Sequence, residues 1–233
     1  MSSVPLRYTP SGHIFIGPED DPDAIVRGMI KSGYDEEFCI ALEFDPSFIA
    51  RLMAAGFLVM SMEAGNPGSS VPKEGDYILL PKMHLNRSLL FFPDLHVGKT
   101  IRRLCPRYEL KCDTDFDAVL AACVQTHGED WLTSPLQEAL QQIARGNGLP
   151  ARLKSFALYR EGRLMAGEFG ISAGRVYTSY SGFRRENSAG SVQMALSAAW
   201  LRDAGFAFWD LGMPLDYKYR LGARDIKREK FIE

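Results

Sequence analysis

The sequence contains few cysteines, no long apolar run and no excess of basic residues. The cysteines form no Cys-x-x-Cys pair, so their spacing predicts neither a structural zinc site nor a disulfide-rich secreted scaffold. No stretch approaches the ~18 apolar residues of a membrane-spanning helix, and the N-terminal stretch MSSVPLRYTPSGHIFIG lacks the apolar centre of a signal peptide. We therefore expect a cytoplasmic protein with reduced thiols and no metal site.

The balance of charge limits how nucleic acid could be bound. A net charge of -2 excludes a protein coated in basic surface, so any phosphate contact must come from a local patch. The clearest patch is in the stretch DLHVGKTIRRL, which looks like a helix and carries Lys99, Arg102 and Arg103. A solvated helix face is the alternative interpretation, because helices commonly carry Lys and Arg toward their ends.

Helices are predicted by apolar spacing combined with capping residues. Asp21 and Asp45 each precede a proline and an apolar stripe, which is typical of a helix start. Further helices are predicted from Asp113, from Ser134 as N-cap, and from Asn187 or Ser188. The chain of 233 residues is long enough to bury one large core or two small ones.

Strands are predicted in the second half of the chain. LKSFALY, LMAGEFGI and VYTSYSG are joined by the tight turns REGR and SAGR, which indicates an antiparallel meander. A helix and the strand FAFWDLG follow, an order found in GNAT-type acyltransferases. We predict an α+β, GNAT-like acyltransferase fold at residues 76–233, with a smaller N-terminal α/β domain at residues 1–75. The boundary is placed in the Gly- and Pro-rich stretch EAGNPGSSVPKEGD.

Several segments together resemble one family. Six segments occur in the order and spacing of the leucyl/phenylalanyl-tRNA–protein transferases. They are FFPDLHVGKTIRR, GEDWLT, LMAGEFGISAGRVYTSYSGF, REN, FAFWDLG and YRLGARDIKREKF. The resemblance covers roughly residues 20–233. It implies transfer of Leu or Phe from charged tRNA to the N-terminal Arg or Lys of a protein, which marks that protein for degradation. In the family a comparable basic region meets the 3′ end of the tRNA. We expect a monomer that works without a metal or organic cofactor.

The resemblance assigns site residues and also shows departures. The family's strand-end Asp, which orients the attacking amine, corresponds to Asp210, but Gly212 stands where the family has a Gln. Tyr180 and Tyr217 stand where the family has an acidic residue and a His. We expect Asp210 to be catalytic and the substrate to be bound by a further set of residues: Tyr180, Ser181, Asn187, Gly212 and Tyr217.

Each of these assignments has a structural alternative. Asp210 would instead cap a turn or pair with Lys218, Arg220 or Lys227. The tyrosines would be ordinary sheet packing, and Asn187 would be only an N-cap.

Two other functions also fit the sequence. RENSAG opens a helix where acyl-CoA-dependent N-acetyltransferases bind pyrophosphate, although Ser188 occupies the first glycine position of such a loop. Loss of the family Gln favours a non-catalytic module that binds an aminoacyl-tRNA end or a peptide N-terminus.

Overall fold

A computed structural model describes residues 5–64 and 77–233. The predicted boundary between residues 75 and 76 lies outside the described residues. The first eight elements are β1 (Arg7–Tyr8), β2 (Ile14–Phe15), α1 (Pro22–Ser32), β3 (Cys39–Ile40), α2 (Pro46–Ala54), β4 (Leu58–Glu63), β5 (Tyr77–Lys82) and β6 (Asn86–Leu90). The next six are α3 (Lys99–Leu104), β7 (Glu109–Cys112), α4 (Phe116–His127), α5 (Ser134–Arg145), β8 (Arg152–Arg160) and β9 (Arg163–Ala173). The last six are β10 (Val176–Arg184), α6 (Ala189–Asp203), β11 (Phe208–Asp210), α7 (Asp216–Leu221), β12 (Arg224–Lys227) and α8 (Arg228–Ile232).

The chain divides into two compact units. The first comprises Met1–Leu85, Gly128–Pro150 and Ile232–Glu233, and the second comprises Asn86–His127 and Ala151–Phe231. The first unit contains a three-stranded sheet of order β1-β2-β3 and the antiparallel pair β4-β5, with α2 packed against α5 and β4. Within the described ranges, no helix has both the length and the apolar composition to cross a membrane.

The helix starts predicted at Asp21 and Asp45 are confirmed. The Asp45 side chain accepts a hydrogen bond from the backbone N–H of Phe48 at 2.8 Å, and Asp21 accepts from Asp23 N–H at 3.1 Å. Each cap satisfies a backbone donor that has no partner inside the helix. α1 ends at Gly33, whose φ of 66° is the left-handed conformation that glycine adopts without strain.

The second unit is built on a seven-stranded sheet of order β12-β6-β11-β10-β9-β8-β7. The predicted meander is confirmed as β8, β9 and β10, which pair antiparallel in sequence order. β10 and β11 are parallel, and α6 connects them. α4 and α6 both pack on the meander strands, α4 beside Phe169 and α6 beside Phe156. The protein therefore has an α+β fold.

The structure differs from the predictions at several element limits. The helix predicted across DLHVGKTIRRL is confined to Lys99–Leu104, after a 3-10 turn at Phe92–Asp94 whose proline sets the turn. α5 starts one residue early, with Thr133 rather than Ser134 as its N-cap. α6 begins after Ser188, so Asn187 is not its N-cap. The short elements β7, α7, β12 and α8 were not predicted, because they have too few residues to show a period.

Candidate active site

The parallel strands β10 and β11 part at their carboxyl ends. They pair only from Val176 opposite Phe208 to Thr178 opposite Asp210, whereas β10 continues along β9 as far as Arg184. Beyond Asp210 the chain follows β6 instead, since Ser88 exchanges backbone hydrogen bonds with Leu211 and Gly212. A gap of this kind between two parallel strands is where open α/β sheets bind ligands.

An irregularity in β10 distributes its side chains beside this gap. The pairing register with β9 shifts between Ser179 and Ser181. As a result Tyr180 stacks on Phe169 at 5.4 Å, and Ser181 hydrogen-bonds Cys123 of α4. Ser179 instead lies beside Glu168 of β9 and accepts a hydrogen bond from Trp209 Nε1 of β11 at 2.8 Å. β-Bulges commonly redirect side chains next to active sites.

Asp210 is buried, and both of its carboxylate oxygens have partners. Its side chain has no exposed surface, and Oδ2 forms an ion pair with Arg87 of β6, whose side chain is 1% exposed. Thr178 donates to the same oxygen at 3.1 Å, and the backbone N–H of Gly212 donates to Oδ1 at 2.9 Å. Asp210 thus caps a turn and pairs with a cation, as in the structural alternative, but the cation is Arg87.

A second buried carboxylate lies on β9. Glu168 is 6% exposed, and its Oε1 accepts a hydrogen bond from Tyr177 Oη at 3.0 Å. Ser179 Oγ lies 3.5 Å from both carboxylate oxygens, and Gln193 of α6 also hydrogen-bonds the group. Trp209, Ser179 and Glu168 therefore form a chain of hydrogen bonds that links β11, β10 and β9.

Burial changes the acidity of this carboxyl group. It raises the pKa of Glu168 from 4.5 to about 7, although the hydrogen bonds from Tyr177, Ser179 and Gln193 and the charge of Lys218 act in the opposite direction. Desolvation penalises the charged form, and no cation lies within ion-pair distance to offset it in the described part of the chain. A carboxyl group with such a pKa is suited to accept a proton near neutral pH.

Lys218 of α7 is also buried. It is 4% exposed, and its Nζ donates to the carbonyl oxygens of Leu211 and Met213, which fixes the segment after β11. Burial lowers the pKa of Lys218 to about 8, against the opposing charges of Asp210 and Glu168. The neighbouring Tyr217 is 51% exposed.

Two segments that are distant in sequence pack together beside these groups. Gly222 has φ 107°, and a Cβ atom at this position would overlap the carbonyl oxygen of Asp94. The backbone N–H of His96 donates to the carbonyl oxygen of Leu221 at 2.8 Å. The FPDLH and LGA segments therefore form one packed unit that only glycine at position 222 permits.

The matched segment of one protein family coincides with this region. The model of the family described as leucyl/phenylalanyl-tRNA protein transferase matches residues 89–233, which is more than half of the chain. The chain belongs to this family. The resemblance noted from about residue 20 is thus established for residues 89–233.

Individual relatives agree with this assignment. A leucyl/phenylalanyl-tRNA–protein transferase of Pseudomonas fluorescens (strain Pf0-1) is 34% identical over 152 residues, which is 63% of this chain and 66% of the relative. The enzyme of that name from Pseudomonas paraeruginosa (strain DSM 24068 / PA7) is 32% identical with the same coverage. The chain thus matches slightly less than two thirds of the length of these relatives.

Solved structures show weaker likeness. The crystal structure of FemX has a TM-score of 0.49 and 9% identity, covering 95% of this chain and 81% of that one. L-PGS from Bacillus licheniformis has a TM-score of 0.40 and 12% identity, covering 91% and 69%. Overlaps of this size add nothing to the fold described above.

Within this family member, the structure brings together only some of the predicted site residues. Asp210 and Gly212 share a hydrogen bond, and Tyr180 and Ser181 lie at the irregularity of β10. Tyr217 lies on α7. Asn187 is exposed in the loop after β10, several residues beyond the parted strand ends. The basic residues Lys99, Arg102 and Arg103 are exposed on α3, and Arg102 Nε donates to Val97 O at 2.9 Å.

Sequence reasoning missed the residues that define the polar interior of the site. Arg87 and Glu168 each stand alone as a charged residue in an apolar strand, NRSLLFF and LMAGEFGI respectively. A single charged residue in an apolar strand indicates a buried charge with a partner, because charged side chains are almost never fully buried unless they are paired. Gln193 and Lys218 carried no comparable signal, since each lies in a helix with other polar residues.

A cavity in the first unit contains none of these residues. It has a volume of about 350 Å³ and is lined by the first turn of α1, by Arg51 and by Pro150. Its rim is acidic, with Glu19, Asp20 and Asp23. The candidate active site is therefore defined by the parting of β10 and β11 and by the groups around it.

Proposed function

We propose that the protein transfers an aminoacyl group, Leu or Phe, from charged tRNA to the N-terminal amine of a protein that begins with Arg or Lys. The observation that carries the proposal is the gap between β10 and β11, flanked by a carboxyl group that titrates near neutral pH. The gap lies inside the segment that matches the family model. Both features suit an amine that must lose a proton before it attacks.

The reaction is the aminolysis of an ester. The acceptor α-ammonium loses a proton, its nitrogen forms a bond to the carbonyl carbon of the aminoacyl ester, and the bond to the ribose oxygen breaks. The nitrogen loses a second proton and the ribose oxygen takes up a proton, so the products are an amide and a tRNA with a free hydroxyl group. Such a reaction depends mainly on placing the amine against the carbonyl in the correct orientation.

Glu168 is the proposed acceptor of the amine proton. A general base works best when its pKa is close to the working pH, and the pKa of Glu168 is raised to about 7. Ser179 lies between Glu168 and the gap, so its hydroxyl group provides the route for that proton.

Asp210 has a positioning role in this proposal. Arg87, Thr178 and Gly212 already occupy its oxygens, so its charge is held in the sheet while its bond to Gly212 N–H fixes the turn beside the gap. We propose that Tyr180, Ser181, Gly212 and Tyr217 line the path of the substrate. Asn187 remains a predicted substrate contact at the far end of β10.

The tRNA would be held by the basic face of α3. Lys99, Arg102 and Arg103 are exposed there, and α3 packs against α6. Phosphate contacts of this kind position a nucleic acid without reading its sequence. We further propose that the second unit has the GNAT-like arrangement, based on its meander, crossover helix and parallel strand. A monomeric state, a cytoplasmic location and a separate smaller N-terminal domain remain predictions.

The direct experiment measures transfer of labelled Leu or Phe from charged tRNA to a peptide that begins with Arg. The matched acceptor is the same peptide with an acetylated N-terminus, which has no free amine. We expect labelling of the free peptide only. No labelling of either peptide by the folded protein would refute the proposal.

A second candidate is favoured by one observation. Because Asp210 is shielded by Arg87, the chain could hold an aminoacyl-tRNA end or a peptide N-terminus without reacting them. Binding raises the melting temperature of the protein even when no transfer occurs. A thermal shift with puromycin, an aminoacyl-nucleoside mimic, combined with an absence of transfer would identify such a binding module.

A further inference from the structure

A group of exposed arginines lies outside the basic face of α3. Arg107, Arg163, Arg184 and Arg185 form what we call the second basic strip, and all four are exposed. Among the described residues, none of the four has a carboxylate oxygen within 4.0 Å. The exposed residues Arg7, Arg27, Arg202 and Arg224 each have a carboxylate oxygen within 4.0 Å. The exposed residues Arg152, Arg175 and Arg220 do not, among the described residues. The strip differs from these single residues because it contains four such arginines.

A network of hydrogen bonds connects the segments that carry the strip. Glu186 accepts hydrogen bonds from Arg160 at 2.7 Å and from Tyr108 Oη at 2.6 Å. The guanidinium of Arg160 also lies 5.6 Å from the centre of the Tyr108 ring. This network ties the β8–β9 turn and the end of β10 to the 3-10 turn at Cys105–Arg107. The negative charge of Glu186 is already paired with Arg160, so it does not cancel the strip.

The strip continues the basic face of α3. Arg163 lies opposite Arg160 in the backbone register of β8 and β9, which places the two side chains on one face of the sheet. Arg184 extends along the start of α6, where its Cδ lies 3.5 Å from a Cβ built on Gly190. α3 packs on α6 and leads directly into the turn that carries Arg107. Both basic groups therefore surround the start of α6.

Charge is concentrated here far beyond the average of the chain. Residues 99–107, 160–163 and 184–186 contain eight basic and two acidic side chains, in a chain of net charge -2. A surface of this sign attracts a polyanion and speeds its association. Among the described residues, no exposed large apolar side chain lies in these three segments. The surface around the strip therefore lacks the apolar anchors of a membrane-binding surface.

The distance along β10 indicates which part of a polyanion would be bound. Arg184 lies five residues beyond Ser179, which is about 17 Å along an extended strand. A terminal nucleoside seated at the gap does not reach that far, so its phosphates cannot occupy the strip. A longer polynucleotide that passes α3 would reach it.

We propose that the second basic strip binds backbone phosphates of the tRNA body, beyond the aminoacylated end that the candidate active site would hold. This inference rests on the proposed function, because it takes tRNA as the donor. It assigns to Arg107, Arg163, Arg184 and Arg185 a role in affinity and in the salt dependence of binding. These residues do not take part in the chemical step.

The test compares two double variants that each remove two exposed positive charges from the second unit. Arg163→Gln/Arg184→Gln removes charge from the strip. Arg152→Gln/Arg175→Gln removes it from the other end of the meander, at the start of β8 and in the β9–β10 turn. Binding of uncharged tRNA is measured over a range of salt concentrations. The strip variant is expected to bind roughly tenfold more weakly and to lose about 2 from the slope of log K against log salt. The control variant is expected to match the unmodified protein.

The outcomes separate this inference from the proposed function. Equal affinity and equal slope for the two variants would overturn the strip, even if the unmodified protein transfers Leu or Phe. The strip would also be overturned if its variant lost only binding to vesicles of anionic lipid while tRNA binding was unchanged. A third outcome is that no transfer occurs with any donor but the strip variant still loses tRNA affinity. That result would refute the proposed function and support the role of the strip in tRNA binding.

Discussion

Arg87 and Asp210 form an ion pair inside the second unit, with side chains that are 1% and 0% exposed. The two residues are 123 positions apart in the sequence and lie on the adjacent strands β6 and β11. The ring of Phe231 lies 4.3 Å from the Arg87 guanidinium and shields it further. Removing one partner of a buried ion pair is costly, because the other charge loses a close partner while it stays away from water.

The first prediction concerns this pair. Asp210→Asn should lower the free energy of unfolding by about 3–5 kcal/mol, because it removes the carboxylate charge that faces the buried Arg87 guanidinium. Urea denaturation of the purified variant measures the change. The double variant Arg87→Met/Asp210→Asn also removes the buried guanidinium and should recover part of the loss. A double variant no more stable than Asp210→Asn would show that the pair is not the cause.

This result also determines how Asp210 can be tested for a role in transfer. A loss of activity in Asp210→Ala would be expected from unfolding alone. The double variant Arg87→Met/Asp210→Asn is therefore the informative protein, provided that it folds. If Asp210 only positions the turn at Gly212, this variant should retain partial activity, whereas contact with the amine would require complete loss.

The second prediction is a dependence of stability on pH. The pKa of Glu168 is higher in the folded protein, about 7, than its ordinary value of 4.5. The folded state therefore binds the proton more tightly, so this contribution is fully present below about pH 4.5 and is lost as pH rises through 7. The loss amounts to about 3 kcal/mol. Glu168→Gln, which resembles the protonated form, should flatten the stability profile between pH 4.5 and 7.

Denaturation at a series of pH values checks this expectation. Lys218 does not interfere, because its pKa is lowered to about 8 and its effect lies between that value and 10.5, where stability rises with pH. An exposed variant such as Glu138→Gln serves as the control. Identical profiles for Glu168→Gln and the unmodified protein would contradict the burial of an ionisable group at position 168.

The third prediction uses Gly222. Gly222→Ala should destabilise the protein by more than Gly205→Ala, although both glycines have positive φ. The left-handed conformation costs a non-glycine residue about 1–3 kcal/mol at either site. Only at position 222 would the added Cβ also overlap the backbone of Asp94, since nothing lies within 4 Å at position 205. Thermal or urea denaturation of the two variants measures the difference, and equal losses would contradict the close packing of the two segments.

The fourth prediction concerns the chemical step. If Glu168 accepts the amine proton, the rate of transfer by the unmodified protein should rise with pH through about 7 and then level off. Glu168→Gln should reduce kcat by about 10²–10⁴ and abolish that rise. A purely structural role would lower the amount of folded protein without changing the shape of the pH profile. Single-turnover rates with saturating charged tRNA make this measurement.

The sequence predicts those parts of the fold that depend on neighbouring residues. The caps at Asp21 and Asp45 and the tight turns of the meander are local, so the helices and strands beside them could be predicted. The same approach places Asp210 at a strand end. It cannot show that Arg87 reaches Asp210 across 123 positions, or that the β10 irregularity turns Ser179 toward Glu168. These relationships depend on strand order and register, which no single segment encodes.

The central claim is that this family member moves an aminoacyl group onto a free amine. The most direct measurement offers charged leucyl-tRNA and acetyl-CoA together to one peptide beginning with Arg, and identifies the product by mass. We predict a peptide extended by one Leu at its N-terminus, with no acetylated product. An acetylated peptide, or an unmodified one in the presence of folded protein, would contradict the account.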